Sequence, residues 1–194
     1  GGSALGGYYL GHRESKDLDL FVASADDQIL DAADRRIVTV AERLGARAER
    51  LRREPDYRQF LVRRGSEATA VDLVRDRAPQ VVAEKPLIGR VRVDALRDLV
   101  ANKLSTVLGR AETRDLVDLC VLLRDRPSLD GHLRDALAKD AGADAATLAW
   151  VLSQIDVRGA GTVAGTPVTY EELREFLAWI VTELRRLAFP EPAS

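Results

Sequence analysis

The sequence has 194 residues, of which 46% are hydrophobic and 31% charged, so it can bury a core and is not a disordered chain. No stretch approaches the roughly 18 apolar residues that cross a bilayer, which excludes a membrane-spanning protein. One cysteine and two histidines exclude an internal disulfide and argue against a cysteine- or histidine-based metal site. We expect a cytoplasmic protein, whose natural start lies upstream of the opening Gly-Gly because the chain lacks methionine.

The first half of the chain alternates strand and helix patterns. Residues 1–13 are predicted to form a loop entering a short helix. A strand over Asp17–Ala23 precedes a helix over Ala25–Leu44, which Gly45 ends. Four further strands are predicted over residues 46–52, 57–62, 68–74 and 89–93.

The second half is predicted to be helical. Helices are expected over Asp94–Leu108 and Thr113–Leu123, and two more begin at caps supplied by Ser128 and Asp144. After a loop over Val157–Val168, Thr169 and Glu172 form a capping box for a last helix that ends near Ala188. We therefore predict an α+β protein, with an α/β core over residues 1–93 and a helical domain over 94–194.

Two aspartates on the first strand are the leading candidates for chemistry. Asp17 and Asp19 are two residues apart, so their carboxylates project from one face of the strand. Like charges this close need a cation, and Mg²⁺ takes carboxylate and phosphate oxygens together. Gly1, Gly2 and Ser3 precede a helix, whose N-terminal N–H groups suit a phosphate. A surface strand end rich in aspartate is the commoner explanation for such a pair alone.

Lys103 lies on the apolar side of its predicted helix, since it follows Leu99 by four residues and precedes Val107 by four. Lysine is scarce here, with four against 25 arginines. An ammonium facing inward needs an anion such as a phosphate, or a route by which the side chain extends to water. Both interpretations are equally open for this residue alone.

Three more aspartates allow two interpretations each. Asp115 and Asp118 share one face of a helix; they are candidates for the site, or Asp118 pairs with Arg114 while Asp115 serves the helix dipole. Asp72, in an apolar strand, is a third metal-binding carboxylate or an ordinary edge-strand charge.

Positive charge is concentrated between Arg35 and Arg64, where ten arginines face four acids, a local net charge of +6. Such a segment can hold a polyanion, although a solvated surface of helix and strand is the commoner explanation on sequence alone.

The order of these motifs (GGSAL, GHRESKDLDLF, VDL, LRDLVANKLSTVLGR, ETRDLVDLCVLL) resembles the AbiEii-type toxin family of the DNA polymerase beta-like (minimal) nucleotidyltransferase superfamily. The resemblance covers Gly1 to about Leu123. It implies a nucleotide-binding loop, an arginine ahead of the acids, a metal-binding acid pair, a lysine helix and an Arg-Asp-x-x-Asp helix. In this sequence these are Gly1, Gly2, Ser3, Arg13, Asp17, Asp19, Lys103, Arg114, Asp115 and Asp118.

The resemblance implies transfer of a nucleoside monophosphate from an NTP to RNA, with tRNA 3′ ends as the leading acceptor. Mg²⁺ or Mn²⁺ would be held by Asp17 and Asp19, with Asp72 as a third ligand, and Arg13, Ser15 and Lys103 would contact the nucleotide. Asp118 would orient Lys103 or the acceptor. A cognate antitoxin is the expected protein partner. The family's pattern has a helix and a strand before the glycine pair. We expect either that these lie upstream of the given residues or that the chain is a truncated product whose sheet lacks a central strand.

Two other functions remain open from the sequence. The acceptor is a protein or small-molecule hydroxyl in the first, and in the second the chain is a non-catalytic module with the same fold. The intact acid pair and Lys103 favour an enzyme.

Overall fold

The computed structural model describes residues 1–22, 26–110 and 112–190. The chain divides into two compact units. A sheet unit comprises Gly1–Gly7 and Glu14–Arg77, and a helical unit comprises Tyr8–Arg13 and the chain from Ala78 onward. The structure confirms an α+β fold, in which a four-stranded mixed sheet with helices is followed by a mostly helical half. The predicted domain boundary at Val93 stays a prediction.

The sheet unit begins with a helical turn, α1 (Gly2–Ala4), and with the first part of a π-helical turn over Leu5–Tyr9, whose last two residues belong to the helical unit. The helix thus starts directly at Gly2, without the predicted loop. The remaining elements of this unit are β1 (Asp17–Val22), α2 (Asp27–Arg43), β2 (Arg47–Glu54), β3 (Tyr57–Arg64) and β4 (Glu67–Arg75). They confirm the predicted strands and helix, while Ala23 and Ala25, at the predicted ends, lie outside the described residues.

Local signals explain these boundaries. Asp26 caps α2, since its carboxylate accepts a hydrogen bond from the Gln28 N–H at 2.9 Å. Gly45 follows the helix at φ +67°, a left-handed conformation that glycine adopts without strain. Gly65 forms the β3–β4 turn at φ +59° for the same reason.

The sheet has the strand order β1–β4–β3–β2, in which β1 and β4 are parallel and the other pairs antiparallel. One face packs against α2. Leu18 and Leu20 of β1, with Val71 and Leu73 of β4, line an apolar groove of about 450 Å³ with the α2 side chains. Because side chains alternate along a strand, Asp17, Asp19 and Asp72 belong to the opposite face, called here the acidic face.

The helical unit contains a short hairpin and five helices within the described residues: β5 (Leu87–Ile88), β6 (Val91–Arg92), α3 (Leu96–Gly109), α4 (Thr113–Leu122), α5 (Asp130–Lys139), α6 (Ala145–Ser153) and α7 (Tyr170–Ala188). The predicted strand over 89–93 was wrong in extent. Only Val91 and Arg92 pair, with Ile88 and Leu87, because Gly89 turns the chain at φ +62°.

The caps of three helices test the predictions for this half. The Thr169–Glu172 capping box is present, and Asp144 caps α6 through the Thr147 N–H at 2.9 Å. Ser128 is not the cap of α5, because Leu129 occupies that position and the Ser128 hydroxyl instead contacts Asp130. The core joins α3, α4, α6 and α7 through leucines that are fully buried, among them Leu104, Leu116, Leu119, Leu148 and Leu184.

Candidate active site

The three predicted carboxylates of the sheet unit lie on one face of two neighbouring strands. Asp17 and Asp19 are both on β1, and Asp19 is the direct partner of Asp72 in the parallel β1–β4 ladder. Neighbouring strands are about 4.8 Å apart, which places the side chains of partnered residues side by side. The strand alternation and ladder register therefore bring Asp17, Asp19 and Asp72 to the acidic face together.

The backbone and a hydroxyl support the β1 acids. The Ser15 Oγ lies 2.9 Å from Asp17 Oδ1 and 3.0 Å from the Asp17 backbone oxygen. Gly1, the N-cap of α1, packs against Asp19 so closely that a Cβ on it would lie 2.2 Å from Asp19 Oδ2. A side chain at position 1 would therefore force the Asp19 carboxylate to move. The nucleotide-binding roles of Gly1, Gly2, Ser3 and Ser15 stay predictions.

Asp72 accepts a hydrogen bond from β3. The Gln59 amide donates to Asp72 Oδ1 at 3.1 Å, and the two residues are direct partners in the β3–β4 ladder. Burial raises the pKa of Tyr57, two residues earlier on β3, above its ordinary value, and the nearby Asp72 carboxylate raises that pKa further.

The helical unit gathers Lys103 and two aspartates into a buried charge cluster. Lys103 Nζ lies 2.7 Å from Asp115 Oδ1 and 2.7 Å from Asp118 Oδ2. Both aspartates are fully buried and Lys103 is 7% exposed. The prediction that Lys103 faces inward is confirmed, and its ammonium meets the carboxylates of α4.

Residues 12 and 13 complete this cluster. Arg13 binds Asp118 through two parallel hydrogen bonds, Nε to Oδ1 and Nη2 to Oδ2, each 2.7 Å long. The His12 Nε2 also contacts Asp118 Oδ1 at 2.7 Å. Burial acts to raise the pKa of Asp118, but the bonds from Arg13, His12 and Lys103 hold that pKa well below its usual value. Asp118 is therefore ionised, and both of its carboxylate oxygens accept hydrogen bonds.

The contacts of the α4 motif contradict the predicted pairing of Arg114 with Asp118. Arg114 Nε contacts Glu112 at 2.7 Å, whereas Asp118 contacts Arg13 and Lys103. The aspartates of the motif face the Lys103 side of the unit instead. The catalytic roles predicted for Lys103 and Asp118 stay predictions.

Sequence reasoning missed three polar residues that contact the predicted ones: His12, Tyr57 and Gln59. Gln59 and Tyr57 share a strand face at i and i+2, the alternation that identified Asp17 and Asp19, but only the ladder register reveals Asp72 as the direct partner of Gln59 and the diagonal neighbour of Tyr57. Nothing in the sequence links His12 to Asp118, which is 106 residues away.

The acids of the sheet unit fit a hard divalent cation. Their donors are all carboxylate oxygens, the ligands that Mg²⁺ and Mn²⁺ prefer. Within the described residues, no group of three or more aspartate, glutamate, histidine or cysteine side chains is placed to hold a metal ion by itself. A cation bound at these acids would therefore need water or phosphate oxygens to complete its shell.

The four-stranded mixed sheet carries an acid pair beside Gly1 and is followed by a mostly helical half. The family model described as "Nucleotidyl transferase AbiEii toxin, Type IV TA system" matches residues 1–186, so the chain belongs to the AbiEii family of nucleotidyltransferase toxins.

One similar solved structure is MenT4, a nucleotidyltransferase toxin from Mycobacterium tuberculosis H37Rv. The two share 18% sequence identity at a TM-score of 0.59, over 95% of this chain and 76% of MenT4. This likeness shows a common fold. No curated protein matches the sequence significantly. In the described part of the chain, no helix combines the length and apolar character needed to cross a membrane.

Proposed function

We propose that this protein transfers a nucleoside monophosphate from an NTP to a hydroxyl group of RNA, with the tRNA 3′ end as the leading acceptor. The observation that carries the proposal is the placement of Asp17, Asp19 and Asp72 on one sheet face in a member of a nucleotidyltransferase family. A cognate antitoxin is the expected partner, and the substrates place the reaction in the cytoplasm.

Asp17 and Asp19 would hold Mg²⁺ or Mn²⁺, with Asp72 as the third ligand. When bound, the metal supplies Lewis-acid activation of the acceptor oxygen and neutralises the charge that develops on the leaving oxygen. Ser15 fixes the Asp17 carboxylate through the 2.9 Å contact to Oδ1, and the Gly1 backbone restrains Asp19.

The acceptor oxygen forms a bond to the α-phosphorus while the bond from that phosphorus to the bridging oxygen breaks and pyrophosphate leaves. The acceptor hydroxyl must lose its proton, and Asp72 is the residue assigned to take it. Arg13 and Lys103 are assigned to the phosphates, where positive charge offsets the charge moving onto pyrophosphate. The contacts of Asp118 support its role in orienting Arg13 and Lys103.

The arginines that β2 and β3 contribute to the basic segment fall into two groups, one on each face of the sheet. On the α2 face, Asp34 pairs with Arg50, and Asp31 contacts both Arg53 and Arg58. The net charge of +6 was counted over residues 35–64 and so did not include Asp31 and Asp34. This group stabilises the packing of α2 on the sheet.

The second group shares the acidic face. Arg47 and Arg63 are direct partners in the β2–β3 ladder, both are exposed, and Arg52 is the partner of Gln59. Like charges directly opposite each other destabilise a sheet. Arg53 and Arg58 are also direct partners, but Asp31 contacts both and offsets their repulsion. Arg47 and Arg63 have no acidic partner in the described structure. An RNA phosphate would relieve this repulsion, which supports RNA as the acceptor.

Replacing Arg47 and Arg63 together with alanine is expected to weaken RNA binding and to lower the slope of log affinity against log salt by about 1 to 2, since two phosphate contacts are lost. The matched control is Arg53→Ala with Arg64→Ala, which removes the same charge from arginines already paired with Asp31 and Glu67. Filter binding of tRNA across a salt series measures both. Equal losses of tRNA affinity in the two double variants would contradict the assignment of Arg47 and Arg63 to RNA binding.

The acceptor class is tested by incubating the full chain and Mg²⁺ with each α-³²P-labelled NTP and, separately, total tRNA, lysate protein or an aminoglycoside. We expect label on tRNA alone. Label on protein or on the aminoglycoside would show that the acceptor is not RNA. If none of the three is labelled and calorimetry detects no NTP binding, the chain is a non-catalytic module.

A further inference from the structure

We propose that Gln59 and Tyr57 are positioning residues that orient the Asp72 carboxylate while leaving its negative charge available to a divalent cation. This inference rests on the proposed function, because it concerns the third carboxylate of the metal site. It assigns a role to two residues that the acid motifs do not contain.

The ladder register places Gln59 on the far side of Asp72 from Asp19. Asp72 is the partner of Asp19 in one direction and of Gln59 in the other, so the three form a row across β1, β4 and β3. The amide holds Asp72 Oδ1 at 3.1 Å from this far side. Tyr57 partners Val74 and reaches Asp72 diagonally, as long side chains do across an antiparallel pair. Both restraints come from β3, away from Asp19.

The neutral character of these donors sets Asp72 apart from the buried aspartates of this protein. Each of six buried aspartates contacts an arginine or lysine side chain: Asp34, Asp94, Asp98, Asp115, Asp118 and Asp135. Those cations neutralise the carboxylate and stabilise the fold. Asp72, which is half-buried, accepts a hydrogen bond from the Gln59 amide and lies near the Tyr57 phenol.

The difference has a chemical consequence. An arginine beside Asp72 would satisfy its charge and compete with an incoming cation, whereas an amide N–H orients the carboxylate without neutralising it. The partners of metal-ligating carboxylates typically act in this way, and their removal costs about 10- to 100-fold in metal affinity or activity. Gln59 and Tyr57 have the chemistry and the placement of such partners.

The test uses the full chain and two variants that keep side-chain size but remove the donor, Gln59→Met and Tyr57→Phe. Affinity for Mn²⁺ alone is measured by electron paramagnetic resonance, which is independent of catalysis. Gln59→Met is expected to weaken Mn²⁺ binding about tenfold and to raise the Mg²⁺ concentration needed for half-maximal activity by a similar factor. Leu61→Met, on the same face of β3 and opposite Ala70, is the control and should bind Mn²⁺ as the wild type does.

A double-variant cycle shows whether Gln59 acts through Asp72. In the Asp72→Asn background, Gln59→Met should have no further effect on Mn²⁺ affinity. If Asp72→Asn weakens Mn²⁺ binding but Gln59→Met and Tyr57→Phe bind as the wild type does, the positioning role is overturned and the proposed function stands. If Asp72→Asn leaves both Mn²⁺ binding and activity unchanged, Asp72 is not a ligand and the assignment of the third carboxylate is wrong as well.

Discussion

Alanine at position 17 is expected to reduce NTP-dependent labelling of the acceptor by at least about 100-fold, because a ligand that supplies several kcal/mol of transition-state stabilisation is lost. The fold should tolerate this change. Asp17 and Asp19 are like charges on one strand face, so removing one carboxylate relieves repulsion. The melting curve followed by circular dichroism should therefore be nearly unchanged while activity disappears.

The matched control for this variant is Asp156→Ala, which removes a carboxylate from an exposed ion pair with Arg158 in the helical unit. It should retain full activity, since exposed ion pairs contribute little. An Asp17→Ala protein that labels the acceptor at the wild-type rate would contradict the assignment of Asp17 as a metal ligand. Loss of activity together with a collapse of the melting transition would show instead that Asp17 is needed for folding.

Methionine at position 103 is expected to destabilise the protein by about 3–5 kcal/mol, the cost of leaving a buried charge without its partner. Lys103 and Arg13 together balance the charges of Asp115 and Asp118. Without Lys103, Asp115 Oδ1 loses its 2.7 Å contact, and the nearest remaining cation is Arg110, whose Nε is 3.6 Å from Asp115 Oδ2. Urea denaturation measures the change as a shift in midpoint at constant slope.

Neutralising Asp115, which loses its lysine partner in this variant, should recover part of the lost stability. The double variant Lys103→Met with Asp115→Asn should therefore be more stable than Lys103→Met alone. The control Lys85→Met removes the partly exposed lysine that contacts Asp94, and it should cost less. A loss below about 1 kcal/mol in Lys103→Met would contradict a structural role for the buried cluster.

The same cluster gives a pH dependence with a defined sign. The folded-state pKa of Asp118 is lowered, so its contribution to the free energy of unfolding is complete above the ordinary aspartate pKa of about 3.9. That contribution is lost as the pH falls further, through the folded-state pKa. Lys103→Met removes one of the contacts that lower this pKa, so the acid-induced loss of stability attributable to Asp118 should be smaller in the variant.

The sequence predicted those features that depend on local periodicity. Alternation along a strand was enough to place Asp17 and Asp19 on one face, and helical spacing was enough to turn Lys103 inward. Most helix and strand boundaries follow from the same periodicities and from caps such as Thr169. The exceptions are the start of the chain, where a helix begins at Gly2 in place of the predicted loop, and the short segments near Gly89 and Ser128.

Features that depend on distant pairing could not be predicted. Asp118 meets Arg13, which is 105 residues earlier in the chain, and Asp72 meets Gln59 only through the strand register. The charge of the basic segment was overestimated because Asp31 and Asp34 lie on α2, across from the arginines of β2 and β3. Neighbours across elements, rather than neighbours in sequence, determine which charges remain available for a ligand.

Comparing α-³²P-labelled with γ-³²P-labelled NTP, on tRNA with the wild-type chain and Mg²⁺, tests the proposed reaction most directly. Monophosphate transfer predicts that only the α label becomes attached to tRNA, with pyrophosphate released in equal amount. Attachment of the γ label, or α label on tRNA without release of pyrophosphate, would show that the acids of the sheet unit serve a different reaction.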